Sequence, residues 1–153
     1  MEKQIEILRF VIKSCERESI GIFNNLLNDL NLTANQAEVI EVLNSYGPMS
    51  VKNLGDLLIC ERKSPSRLVQ SLIKKGLLCK TTSKEDKRIS LISLSKQGKK
   101  LLPEIKKRDA QFNKIIEQHL SSSDEVKELT KVLISYLKGT ESYDKLQRRF
   151  GVK

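Results

Sequence analysis

This chain of 153 residues has no tryptophan, one histidine and only three cysteines. Cys15, Cys60 and Cys79 are odd in number, widely spaced and without a C-x-x-C pair, which argues against a disulfide scaffold and against a zinc knuckle. A lone His119 leaves a histidine-based catalytic or metal cluster nothing to assemble from within one chain. Neither a nucleophile–base constellation nor a phosphate-cradling glycine loop takes its place, so the residues point away from an enzyme and require no cofactor or metal. Long apolar runs are missing too, and none approaches the ~20 residues that span a bilayer. The N-terminal MEKQIEILRF puts charge into every turn where a signal peptide needs an apolar segment. The expectation is a soluble, cytoplasmic protein with no membrane partner. Glycine (7) and proline (3) are scarce, and 39% hydrophobic against 31% charged residues is a globular balance. The length suits one compact chain with an ordinary core.

What the chain does have is cationic charge in one place. Its formal net charge is +9, and residues 50–100 hold thirteen Lys/Arg against four Asp/Glu. That third therefore carries the whole excess, and the remainder is balanced. A localised positive field is the footprint of a polyanion partner.

Periodicity lays out the elements. Residues 3–30 read as one amphipathic helix, with Ile5, Leu8, Ile12 and Cys15 on a stripe that slips in phase near Ser19 and continues through Ile20, Phe23, Leu27 and Leu30. Such a stripe needs another helix to cover it. Thr33-x-x-Gln36 has the form of a capping box for a second helix, stopped by Tyr46-Gly47-Pro48. Ser50 caps a short helix over about 51–58, and a turn leads to a further helix that runs to Lys75 and ends at Gly76. The period then changes to two: Leu78–Thr82, a polar turn at Ser83–Lys87, and Ile89–Leu94 form a hairpin. Ser95 caps a long helix at about 96–119, Ser122-x-x-Glu125 another ending near Gly139, and YDKLQRRF is a basic amphipathic segment. Helix, short helix, helix, then hairpin is the plan of a winged helix-turn-helix. The fold class expected is mainly α with a small β-hairpin.

The segments LTANQAEVIEVL, NLGDLL, SRLVQSLIKKGLL and EDKRISLISLSKQGKKLL, with Asp86-Lys87-Arg88 followed by Leu94-Ser95-Lys96-Gln97-Gly98, resemble the MarR-type winged helix-turn-helix transcriptional regulators. The likeness runs from Leu32 to about Leu102. It implies a DNA-binding core at 32–102, flanked by helical dimerisation regions at 1–31 and 103–153. It also implies a homodimer on pseudo-palindromic double-stranded operator DNA, most often a repressor, released by a small-molecule effector. Ser83 departs from the pattern, since many members carry an additional aspartate there. Pro65 departs as well: a helix starting at Glu61 loses a bond at Pro65, whereas Ser64 as N-cap makes Pro65 a suitable first residue.

Arg62, Lys63, Ser64, Ser66, Arg67 and Gln70 stand where a reading helix meets base edges and phosphates. A solvated helix face is the bland alternative. In the wing, Arg88 is the residue expected in the minor groove, its guanidinium held by Asp86, with Lys84 and Lys87 on phosphates. Ser50 and Lys52 are further candidates for phosphate contact. Cys15, on the apolar stripe, is expected to be a buried small hydrophobe, and Cys79 a packing residue. Cys60 beside Arg62 and Lys63 has an electropositive neighbourhood, so redox sensing is open at Cys60 and Cys15. His119 is expected to serve the C-terminal end of its helix. A winged-helix protein–protein interaction module and a cysteine-based redox-sensing regulator are the competing readings.

Overall fold

The structure, a computed structural model, describes residues 1–59, 64–83, 86 and 88–153. Its helices are α1 (Glu2–Leu27), α2 (Ala34–Tyr46), α3 (Val51–Gly55), α4 (Pro65–Lys74), α5 (Lys96–Glu117), α6 (Ser123–Leu137) and α7 (Glu141–Phe150), with a short 3-10 helix at Asn28–Leu30. Between α4 and α5, β1 (Leu78–Thr82) and β2 (Ser90–Leu94) pair antiparallel, with Leu78 opposite Leu94 and Thr82 opposite Ser90. The winged helix-turn-helix plan and the mainly α class expected from the sequence are what the chain adopts.

Hydroxyls start most of these helices. Thr33 Oγ1 accepts the Gln36 amide at 3.3 Å while Gln36 Oε1 accepts the Thr33 amide at 3.2 Å, a complete capping box. Ser50, Ser95 and Ser122 accept the amides of Asn53, Gly98 and Glu125 at 3.1, 3.0 and 3.2 Å. Each such cap contributes about 1 kcal/mol. Thr140 does the same for α7, through the Tyr143 amide at 3.3 Å.

The core draws Ala37, Val39, Ile40, Val42 and Leu43 from α2 and one or two side chains from each other element of the head. Leu27, Ile40, Leu54, Leu58, Leu72, Ile92 and Ile105 are fully buried and come from α1 to α5, β2 and, for Leu58, the turn after α3. Burying each is worth about 1.5–3 kcal/mol. The phase slip near Ser19 divides α1. Beyond it, Phe23 stacks on Phe112 of α5 with centroids 5.0 Å apart, and Leu27 is buried. Before it, Ile5, Leu8 and Ile12 stay 52%, 47% and 40% exposed. They line an apolar cleft of about 620 Å³ with Val132, Leu133 and Tyr136 of α6.

Several boundaries and burials differ from expectation. The first helix is not continuous to residue 30: α1 stops at Leu27, and Asn31 adopts φ +53 so that the chain can turn into α2. The short third helix ends at Gly55, because the Leu57 and Leu58 amides both return to the Leu54 carbonyl in a turn. Helix α5 ends at Glu117, so exposed His119 lies beyond the C-cap Gln118. Cys15 and Cys79 are both exposed free thiols. Cys15 shares a stripe whose Ile5, Leu8 and Ile12 are themselves only half covered among the described residues, and Cys79 sits on the outward side of a two-stranded hairpin.

The junction between α4, the hairpin and α5 leaves no room for a side chain at Gly98. Ser95 donates its amide to the Leu77 carbonyl at 3.0 Å and its hydroxyl to the Gly76 carbonyl at 2.6 Å. A Cβ on Gly98 would stand 2.2 Å from the Leu77 oxygen. Gly98→Ala is therefore expected to destabilise the chain by about 1–3 kcal/mol, read as a lowered urea midpoint with an unchanged slope.

Candidate nucleic-acid interface

Helix α4 begins at Pro65, with Ser64 as N-cap, which settles the two readings left open by the sequence. Proline supplies a pre-set φ at the first helical position and lacks only an N–H that would find no helical partner. The Arg67 amide takes the Ser64 carbonyl at 3.1 Å. Valine and leucine at 69 and 72 are buried, while Ser66, Arg67, Gln70 and Lys74 are exposed. The helix thus turns its apolar side to the core and leaves a polar, cationic face outward. Its C-terminal end is closed by Gly76 at φ +73, with the Leu77 amide returning to the Leu72 carbonyl at 3.0 Å. Lys75 is taken up by the protein itself, donating to the Asn31 carbonyl at 2.5 Å and to Gln36 Oε1 at 3.0 Å.

In the wing, the Ser83 amide takes the Ile89 carbonyl at 2.8 Å, and the Asp86 amide approaches Ser83 Oγ at 3.4 Å. The Asp86 carboxylate accepts the backbone N–H of Arg88 at 2.9 Å. It was expected to hold the Arg88 guanidinium, and among the described residues that ion pair is absent. The amide two residues on is within easy reach of an aspartate in a turn, whereas a long arginine must fold back to meet it. Asp86 therefore shapes the backbone under Arg88, whose side chain is exposed. Ser83, where the sequence departs from the resembled pattern, supports the same turn with its hydroxyl.

A second attachment of the wing had no warning in the sequence. Met49 and Ile92 exchange both backbone bonds, at 3.1 and 2.8 Å, so the segment before α3 adds a one-residue bridge to β2. This brings Ser50 and Lys52 beside the hairpin, on an open cleft of about 980 Å³ lined also by Asn53, Thr81, Ser83 and Leu91. Ser50 is half-buried and already caps α3, while Lys52 is exposed. The structure so brings together Ser50, Lys52 and the root of the wing. Arg62, Lys63, Lys84, Lys87 and Cys60 lie outside the described residues.

Two features of the site's support were missed by sequence reasoning. One is an open cleft of about 530 Å³ beside the end of α1, where Arg108 of α5 pairs with Asp29 at 2.5 Å and keeps its Nε buried without a partner among the described residues. The other is an acidic cluster under the head. Burial pushes the Glu41 carboxyl of α2 above its ordinary value; Asp109 adds to this, Arg149 opposes it, and Glu38 and Lys106 make smaller contributions of opposite sign. Glu38 and Glu41 are three apart on α2, but nothing in the sequence marks Asp109 of α5 as their neighbour.

Comparison with known proteins agrees with this geometry. Residues 32–98 match the winged helix DNA-binding domain family. The organic hydroperoxide resistance transcriptional regulator of Bacillus subtilis (strain 168) is 29% identical over 91 residues, 60% of this chain and 62% of that protein. The HTH-type transcriptional regulator SarZ of Staphylococcus aureus (strain MRSA252) is 28% identical over 99 residues, 65% of each. The match thus spans a little under two thirds of these relatives. Among solved structures, a mutant MarR from E. coli complexed with operator DNA aligns with a TM-score of 0.78 at 22% identity, over 88% of this chain and 96% of that one. The organohalide-sensing RdhR transcriptional regulator in its 2,4-dichlorophenol-bound form aligns at 0.81 and 21%, over 90% and 82%. Residues 32–98 thus form a winged helix domain, and the fold of the chain, over nine tenths of its length at most, is similar to that of these solved regulators.

The buried acids supply a test of the support. With its folded value raised, Glu41 holds a proton more tightly in the folded chain than in the unfolded one. Its penalty is absent below the ordinary value of 4.5, develops as pH rises through the folded value, and is complete above it. Glu41→Gln is expected to raise the urea midpoint at neutral pH and to lose that advantage in acid.

Proposed function

We propose that this chain is a DNA-binding transcriptional regulator, a repressor that binds pseudo-palindromic operator DNA as a homodimer in the cytoplasm and is released by a small-molecule effector. The observation that carries it is the outward face of α4, where Ser66, Arg67 and Gln70 are exposed over a fully packed inner face. Arg, Gln and Ser at the start of a helix are the groups that read guanine, adenine and phosphate in a major groove. Arg62 and Lys63, next to Ser64 in sequence, are assigned to the same contact. Arg88, on a turn shaped by Asp86, enters the minor groove, with Lys84 and Lys87 on flanking phosphates. Ser50 and Lys52, beside the wing, take a further phosphate.

The uncovered apolar faces of α1 and α6 support the dimer, in which residues 1–31 and 103–153 pair with a second copy and the core at 32–102 reads one half-site. Two heads then address half-sites about one helical turn apart. The effector is assigned to the cleft at Arg108, which lies between the end of α1 and α5 and offers polar side chains to a ligand.

The test uses a duplex selected by the protein from a random-sequence pool. Affinity is expected to fall with salt at a log–log slope of several phosphates, and a slope worth only one or two contradicts the proposal. Arg67→Ala and Arg88→Ala should each cost about 1–3 kcal/mol of binding with the urea midpoint unmoved.

One observation favours a second reading, thiol-based sensing at Cys15. The thiol stands exposed where burial was expected, and the Bacillus subtilis relative is named for resistance to organic hydroperoxides. On that reading cumene hydroperoxide weakens duplex binding by the wild type and leaves Cys15→Ser unaffected, as measured by fluorescence anisotropy. Equal responses from both would exclude it.

A further inference from the structure

Two kinds of contact hold α4 to the rest of the head. Val69 and Leu72 are buried, and Leu68 and Ile73 pack against the same core. Apolar contact has no direction of its own, so it constrains the rotation of a helix less tightly than a hydrogen bond does. The second kind is directional and converges on one side chain, Gln36 of α2, which is only 6% exposed. Its Nε2 donates to Ser71 Oγ at 2.8 Å, and its Oε1 accepts the Lys75 ammonium at 3.0 Å. Ser71 and Lys75 are four residues apart, so one carboxamide grips one side of α4 at two successive turns. Arg67 lies a further four residues back along that side, exposed in the first turn of the helix.

The grip has a fixed mounting. Gln36 Oε1 also accepts the Thr33 amide at 3.2 Å, while the Gln36 amide donates to Thr33 Oγ1 at 3.3 Å. Two donors on Oε1 occupy both of its lone pairs, which turns Nε2 toward Ser71 and leaves the carboxamide one orientation. The Ala34 amide, at the start of α2, donates to Asn24 Oδ1 of α1 at 2.7 Å. Lys75 is held a second time by the carbonyl of Asn31, the residue at φ +53. Lys75 is accordingly half-buried, whereas its neighbour Lys74 is exposed.

We infer that Gln36 is a positioning residue for base reading: with Ser71 and Lys75 it sets the rotation of α4, and so the aim of Arg67 and Gln70, without touching DNA. An α-helix is a stiff rod, and a rotation at Ser71 is carried to Arg67 one turn away. Base edges accept side chains only in narrow, paired geometries, while phosphates take a cation from many directions. Freeing the helix therefore costs selectivity more than it costs attraction. The inference rests on the DNA-reading function proposed above.

The test compares the selected duplex with a scrambled duplex of equal length and composition, on the full chain. Lys75→Met removes the ammonium and leaves the capping box whole. It is expected to weaken binding to the selected duplex about tenfold and to the scrambled one by less than about twofold, with the salt slope unchanged. An equal loss on both duplexes, or no loss on either, overturns the inference. So does a slope reduced by about one, which would make Lys75 a phosphate contact. Ser71→Ala changes no charge and should lower the same selectivity. In the free protein it should also speed exchange of the Gln36 carboxamide protons by about tenfold. Unchanged exchange, or undiminished selectivity, overturns the grip as well. A wild type that selects no duplex sinks the DNA function, while carboxamide exchange still decides whether Ser71 holds Gln36. If Lys75→Met fails to fold, Ser71→Ala carries the comparison of duplexes by itself.

Discussion

Everything outward-facing in this protein depends on one close backbone approach, that of the first turn of α5 to the Leu77 carbonyl. Ser95 spends its amide on that oxygen and its hydroxyl on the neighbouring Gly76 carbonyl, and Gly98 is a residue with nothing to intrude. The end of the reading helix, the root of the hairpin and the start of the long helix thereby share one rigid corner. With the Met49–Ile92 bridge on the other side of β2, the wing is fixed at its base from two directions. Rigid attachment matters because side chains on helices and pinned strands hold a geometry that a loop alone does not.

Charge is sorted by this framework rather than merely counted. The cations at Arg67, Lys74 and Arg88 stand in solvent, where they are not consumed by internal partners among the described residues. Carboxylates are drawn inward instead. Glu38 and Glu41 lie on the helix beneath the reading face, with Arg149 brought from the far end of the chain to meet them. Lys75 shows the same economy in reverse, since its ammonium closes the Asn31 turn and the capping box. A basic segment of sequence is therefore not uniformly a basic surface.

Local signals were read with little error. The capping box at Thr33, the serine caps at 50, 95 and 122, the glycine stop at 76 and the two hairpin strands all rest on bonds between residues no more than a few positions apart or on strict alternation. Errors arose where a side chain had a choice of partners. Asp86 was matched with the Arg88 guanidinium, and it took the nearer amide. Cys15 was assigned burial from the stripe it shares with Ile5, Leu8 and Ile12, yet that stripe is only half covered among the described residues. The wing motif and the Ser95–Gly98 motif were visible as residues, but the reason for the glycine is a carbonyl twenty-one positions earlier.

The order of elements, the hydroxyl-capped helix starts and the concentration of positive charge in one third of the chain were determined by sequence alone, because each depends on propensity, spacing and composition. Only the tertiary structure decided that Pro65 opens α4, that Met49 joins β2, and that Arg149 closes on Glu38 across more than a hundred residues. Such pairings are chosen by which faces the core leaves adjacent, and no local pattern in the chain encodes that adjacency.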